Sequence, residues 1–362
     1  MKAVLRATVL LGIATALLAG ALLHRSPAPS DEYPAGRVLV EASTGGVRVT
    51  DVRSGVMGTL FGVEVHAGDE GTGRRACSVA YHRIAALEAR LSHWREDSLL
   101  SRVNREAASR PVTVDADTFW LLESARYFHR ISAGTFDPSI GPLLGLFKPF
   151  ARLEAMPPDG EIALARALVG FDRVLLDPLT RAVRFAAPGM SIDLGAIAKG
   201  YAADEAVRVA RSEGALACRV NAGGDMVAGG APPGRPEGFE TEIRDPRGDP
   251  AATLPGRTFD LRDRAAATSG NYERTTEIAG KRYSHILDPR TGRPVPDAVT
   301  QVTVMAPTGL EADALATALV VLGPESGLRL AQELPNVEAL FLLPDGDGFR
   351  SVATTGFPGG RR

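Results

Sequence analysis

The sequence predicts an α+β fold with largely antiparallel strands and packed helices. Three observations carry this reading. Strand-like and helix-like segments follow one another without the regular alternation of a doubly wound parallel sheet. Two hairpins are expected, one joined through Asp177-Pro178 and one turning at Ala279-Gly280. A strand-like alternation over residues 299–306 runs straight into a helix that carries its own capping residues.

The elements are expected in this order. Lys2 and Arg6 precede an uncharged stretch over residues 7–23 that passes through Ala19-Gly20-Ala21. A basic start, a short apolar run and an Ala-x-Ala end mark a secretory signal peptide, or an anchor if cleavage fails. The run falls short of the roughly 20 residues that span a bilayer, which favours cleavage. Residues 1–25 are therefore read as signal or anchor and 26–53 as a tether that begins rich in Pro and Ala. Residues 54–355 are read as one catalytic unit and 356–362 as a flexible tail. Ala80, Ile84, Leu87, Leu91 and Trp94 follow helical spacing. A helix over 117–132 turns Leu121, Leu122, Ala125 and Phe128 inward and stops at Gly134. Residues 174–176 and 183–185 form the first hairpin, and an Ala-rich helix over 196–213 stops at Gly214. Thr308 to Glu311 is a capping box. The helix it opens buries Leu310, Ala314, Ala318, Leu319 and Leu322, and Gly323 closes it.

Composition excludes several functions. Lys and Arg number 41 against 43 Asp and Glu, so the chain lacks the basic footprint of a nucleic-acid binder. With 44% hydrophobic and 23% charged residues, it has the makings of a packed core rather than of a disordered chain. Cys77 and Cys218 are the sole cysteines and no CxxC occurs, which removes thiolate zinc sites. Two isolated buried thiols are expected, with one disulfide the alternative, and no cysteine near the apolar N-terminus could carry a lipid. There is no GxGxxG after a strand, Walker loop, HExxH or GxSxG.

Four segments carry polar residues that packing alone would not require. In residues 192–201 an extended start meets Gly195, and a helix of small residues begins with Lys199 in its first turn. Helix N-terminal amides and a lysine suit an anion; a plain turn capped by Asp193, with Lys199 solvated, is the alternative. Asn221-Ala222-Gly223-Gly224-Asp225 suits a close backbone approach or an ordinary turn. Thr268-Ser269-Gly270 leads toward Ser284-His285-Ile286-Leu287-Asp288-Pro289, where His285 could move a proton or be a hydrogen-bonded core residue. Asp313 and Thr317 fall one helical turn apart and offer two hard oxygens for Mg²⁺ or Ca²⁺, or else belong to a solvated face.

Together these segments resemble the ApbE family of FAD:protein FMN transferases. The similarity runs from Met57-Gly58-Thr59 to about residue 350. It also takes in Leu91-Ser92-His93-Trp94-Arg95-Glu96-Asp97-Ser98 with Asn104, and Ser132-Ala133-Gly134-Thr135-Phe136-Asp137-Pro138. The resemblance implies an ApbE-like, T-fold-like architecture and a Mg²⁺-dependent reaction. In that reaction FMN moves from FAD to a Thr or Ser of another protein through a phosphoester, and AMP is released. It implies Met57, Trp94, Thr135, Phe136, Asp137, Asp193, Lys199 and Leu287 around FAD, which is a substrate. It places the metal on the Ala196 carbonyl, Asp313 and Thr317, with His285 as the candidate base and Asp313 assisting. The implied partner is an acceptor flavoprotein, such as a subunit of a respiratory NADH:quinone reductase or Rnf-type complex, met in the periplasm. The apolar N-terminus is then the sole candidate attachment to the inner membrane. Two departures stand out: Trp94 where many relatives carry Tyr, and Ala316 where Ser or Asp is frequent. Competing readings are an FAD pyrophosphatase that yields FMN and AMP, and a non-enzymatic periplasmic flavin-binding or delivery protein.

Overall fold

The computed structural model describes residues 36–247, 252–271, 275–278, 281–296, 299–346 and 348–358. The segment read as signal or anchor and the Ala279-Gly280 turn lie outside the described residues. The α+β class holds, since the strand pairings given below are all antiparallel. The chain divides into two compact units. The first comprises the described residues up to Ala86 together with Ala202–Ala266, and the second Leu87–Tyr201 together with those from Ala267 onward.

The first unit is a twisted antiparallel sheet with helical cover. Its strand order is Arg37–Ser43, Gly46–Val56, Thr59–Ala67, Ala217–Ala222 and Asp225–Gly229, ending on the first residues of Arg264–Gly270. The expected tether is thus corrected: from Arg37 the chain is strand. Polar residues disguise it, because Glu41 faces Arg48 across the ladder and the two side chains pair. Val49, Phe61, Val63 and Val65 point inward and are fully buried. The helix Glu70–Leu91 packs on them through Ala76, Cys77, Ala80 and Tyr81. The Tyr81 hydroxyl donates to the Asp51 and Phe61 carbonyls at 3.0 and 2.9 Å, a contact available only where the helix lies flat on the sheet. Cys77 and Cys218 are both buried free thiols, as expected. Burial, with Asp51 nearby, pushes the Cys77 thiol up to about 12, and burial raises Cys218 as well.

On the same sheet Glu64 accepts from Arg219 at 2.6 Å and lies 3.1 Å from His66. Burial opposes its charge, yet His66 and Arg219 outweigh it and hold the carboxyl at about 2, against an ordinary 4.5. A depressed folded value means that the stabilisation is complete above pH 4.5 and is lost as pH falls toward 2. Glu64→Gln is therefore expected to flatten the acid limb of stability by roughly 2 kcal/mol between about pH 6 and pH 3. Urea midpoints of the two proteins at those pH values check this, and equal acid limbs would refute it.

In the second unit the strands Gln301–Ala306, Glu338–Asp345 and Gly348–Ala353 pair in that order. The Gln301–Ala306 strand is buried at every position, so the expected one-faced alternation is replaced by cover on both faces. The helix Gly309–Leu322 opens as expected: Thr308 accepts the Glu311 N–H at 3.2 Å, and Gly323 ends the helix at φ 76°. The helix Ala116–Ile131 is capped by Asp115 and buries Leu121, Leu122, Ala125 and Phe128. The hairpin of Val174–Asp177 with Ala182–Phe185 forms as expected, and Val112–Thr113 adds a third strand. Trp94 is a correction. The Glu70–Leu91 helix stops before it, and its indole is 65% exposed in the following turn. The tail is another, because Phe357 is buried and its N–H donates to the Thr354 carbonyl at 3.2 Å.

Candidate active site

Within the second unit, a carboxylate from one helix caps the start of another. The helix Ala198–Ser212 takes its first helical bond from Tyr201 N–H to the Ile197 carbonyl at 3.1 Å. That leaves the Gly200 N–H among the orphan donors of a helix N-terminus. Asp313, on the Gly309–Leu322 helix, accepts this N–H at 3.1 Å and receives the Lys199 ammonium at 3.0 and 3.2 Å. A negative charge at a helix N-terminus is also favoured by the aligned backbone dipoles. Asp313 is only 3% exposed, so it does not lie on a solvated helix face, and Lys199 is paired with it. The approach needs Gly200: a Cβ there would stand 2.0 Å from the Gly309 carbonyl oxygen.

Thr317 follows Asp313 by one turn, with its hydroxyl 3.4 Å from that of Ser269. The Ala196 carbonyl precedes the helical ladder, because the Gly200 N–H that would reach it goes to Asp313 instead. Among the described residues no group of three or more His, Cys, Asp or Glu could hold a metal ion. A cation here would therefore rely on mixed hard oxygens. The Ala196 carbonyl, Asp313 carboxylate and Thr317 hydroxyl are such a set, and they suit Mg²⁺ rather than zinc.

A second cluster surrounds Asp193. Its Oδ1 accepts the Gly195 N–H at 2.6 Å, the turn-capping role weighed from sequence, and its Oδ2 lies 3.3 Å from His93 Nδ1. Asn104 holds the preceding residue from both sides, donating to the Ile192 carbonyl at 2.9 Å and accepting its N–H at 2.7 Å. The Asp193 N–H donates to the Pro138 carbonyl at 2.8 Å, which ties this turn to residues 135–138. The exposed Trp94 indole carries the Lys148 ammonium 3.6 Å from its ring centroid, with the His93 ring 4.6 Å away. Burial lowers the Lys148 pKa, and Arg152 adds to the effect.

The model of the ApbE family matches residues 57–341. The chain is 36% identical over 303 residues to the FAD:protein FMN transferase of Treponema pallidum, covering 80% of this chain and 83% of that protein. It is 34% identical over 277 residues to that of Vibrio cholerae, covering 76% and 81%. The chain belongs to the ApbE family. The crystal structure of the ApbE protein from Thermotoga maritima matches at TM-score 0.75 and 29% identity, covering 90% of this chain and 99% of that one. Apo flavinyl transferase ApbE of Pseudomonas stutzeri matches at TM-score 0.75 and 29% identity, covering 91% and 98%.

The other residues that the ApbE resemblance singled out fall as follows. Thr135, Phe136 and Asp137 are buried, and their side chains are engaged within the unit. Thr135 donates to the Ser132 carbonyl at 3.0 Å, and the Phe136 ring meets Phe128 edge-on at 6.2 Å. Asp137 accepts from Ser139 N–H at 2.8 Å, Ser139 Oγ at 2.5 Å and Phe171 N–H at 3.3 Å. Burial nonetheless raises the Asp137 pKa. Leu287 is buried in a cluster with Leu143 and Ile162. His285 follows the strand Lys281–Ser284 and is exposed, so the core-histidine alternative fails. Met57 lies in the first unit, in the two-residue turn joining Gly46–Val56 to Thr59–Ala67. Its φ of 47° is rare for a side-chain-bearing residue. The Asn221 segment turns beside it, with Gly223 N–H on the Leu60 carbonyl at 2.9 Å. Sequence reasoning passed over His93, Lys148 and Gly200. Of these only His93 left a signal, as one of six histidines standing next to an aromatic ApbE position.

Proposed function

We propose that this ApbE-family chain transfers the FMN moiety of FAD to a Thr or Ser hydroxyl of an acceptor flavoprotein and releases AMP. The observation that carries this reading is the Lys199–Asp313–Gly200 junction. It places a cation and a carboxylate at a helix N-terminus, one turn from the Thr317 hydroxyl. Lys199 binds phosphate oxygens of FAD and offsets the charge that builds on the departing AMP. Asp193, Trp94 and Leu287 orient the dinucleotide. The acceptor oxygen attacks the FMN phosphorus; a new P–O bond forms as the phosphoanhydride P–O bond breaks. His285 takes the proton from the attacking hydroxyl, and its exposed position lets a protein acceptor reach it. Ala196, Asp313 and Thr317 would hold Mg²⁺, which when bound supplies a Lewis acid for the pyrophosphate. The acceptor is met in the periplasm, after export by the N-terminal segment; a subunit of a respiratory reductase is the partner this reading favours.

Incubation with FAD, Mg²⁺ and an acceptor domain, followed by intact mass, tests this. The acceptor is expected to gain one FMN, and the gain disappears with EDTA. In His285→Ala it slows by about a hundredfold or more. Free FMN and AMP without labelled acceptor would favour a pyrophosphatase, and no turnover a flavin-binding protein. The enzyme's own mass, recovered after export, is expected to lack residues up to about Ala21; a mass beginning at Met1 would count against cleavage.

A further inference from the structure

We infer that His93 is a positioning residue for the flavin dinucleotide, holding Asp193 and Trp94 in the geometry that receives it. This rests on the transferase reading, in which Asp193 and Trp94 contact FAD. Three independent features of the second unit point to it. His93 Nδ1 lies 3.3 Å from Asp193 Oδ2, while the other Asp193 oxygen is engaged with the Gly195 N–H. The His93 ring also sits 4.6 Å from the Trp94 ring, at an interplanar angle of 40°. The backbone on either side of the contact is anchored: Ser101 Oγ donates to the His93 carbonyl at 3.4 Å, and Asn104 holds Ile192, next to Asp193, through both backbone groups.

The consequence follows from side-chain freedom. A carboxylate fixed through one oxygen can still turn about its own axis, whereas a second contact defines the plane it presents. An indole exposed to 65% has little packing to fix its tilt, and the tilted imidazole, with the Lys148 ammonium over the indole ring, supplies part of it. One side chain thus sets the attitude of an aromatic platform and of an acid that lies far from it in sequence. Neither role requires His93 to touch the reacting phosphorus. Its removal should weaken binding of the dinucleotide and leave the chemical step alone.

The test uses the full chain with Mg²⁺, comparing wild type with His93→Ala, His93→Asn, Asp193→Asn and the double variant His93→Ala/Asp193→Asn. FAD affinity is measured by calorimetry, and KM and kcat are taken from acceptor labelling. His93→Ala is expected to raise the Kd and KM for FAD about tenfold, with kcat at saturating FAD within about twofold of wild type. His93→Asn, which places a polar amide near the Nδ1 position, should recover most of the affinity. In the Asp193→Asn background the histidine substitution should cost less than it does alone, because only its contact with Trp94 remains to be lost. Unchanged affinity in His93→Ala, a loss that falls on kcat, or full additivity in the double variant would each overturn the assignment. Thermal unfolding of His93→Ala and His93→Asn within a few degrees of wild type separates positioning from folding. Wild-type protein that binds FAD yet neither labels acceptor nor releases FMN would count against the transferase reading instead, while the affinity comparison would still decide the role of His93.

Discussion

Replacing Asp313 with Asn is expected to cut FMN transfer by about a hundredfold to a thousandfold while the fold survives. The two outcomes separate because the carboxylate does two things. Its oxygen caps the Gly200 N–H at the start of the Ala198–Ser212 helix, and an amide oxygen can still do so. Its charge balances the partly buried Lys199 ammonium, and an amide cannot. Losing that charge should lower stability by about 1–3 kcal/mol, with far-UV circular dichroism unchanged. Asp313→Ala removes the cap as well and should unfold at lower urea than Asp313→Asn. Acceptor labelling at matched Mg²⁺, together with urea midpoints for the two variants, checks both parts. Full activity in the Asn variant would remove Asp313 from the chemistry.

Gly200→Ala should be the more damaging change to the fold. The added Cβ would meet the Gly309 carbonyl oxygen at 2.0 Å, its carbon at 2.4 Å and Asp313 Cβ at 2.9 Å. Two of these neighbours are backbone and cannot swing aside. The start of the Gly309–Leu322 helix must shift, and Asp313 with it. A destabilisation of about 3 kcal/mol is expected, along with loss of transfer activity. Gly145 is the control. It also lies in a helix, but a Cβ there has nothing within 4 Å, so Gly145→Ala should be neutral or stabilising. Equal urea midpoints for the two variants would sink the argument.

The local signals were the legible part of this fold. Thr308 caps the helix it was expected to cap, and the hairpin through Asp177-Pro178 pairs in register. Each of these depends on residues a few positions apart, where side-chain chemistry and backbone geometry are coupled directly. The strands before residue 54 escaped because charged residues such as Glu41, Arg48, Asp51 and Arg53 interrupt their apolar positions, which composition cannot tell from a linker. The site was legible as a set of residues but not as an arrangement. Lys199 and Asp313 are 114 positions apart, and nothing in either segment announces the other. Asp137 shows the converse: a motif residue whose carboxylate is engaged by Ser139 and Phe171. The tight passage at Gly200 was invisible because a small residue in a helix has many ordinary explanations.

The two buried thiols carry a consequence for how the molecule is made. The reactive species in oxidation and disulfide exchange is the thiolate, and burial keeps Cys77 and Cys218 protonated far above neutral pH. Neither offers an oxidant a ready target in the folded chain. The two thiols of the folded chain should then be free whether it is prepared in a reducing or an oxidising compartment.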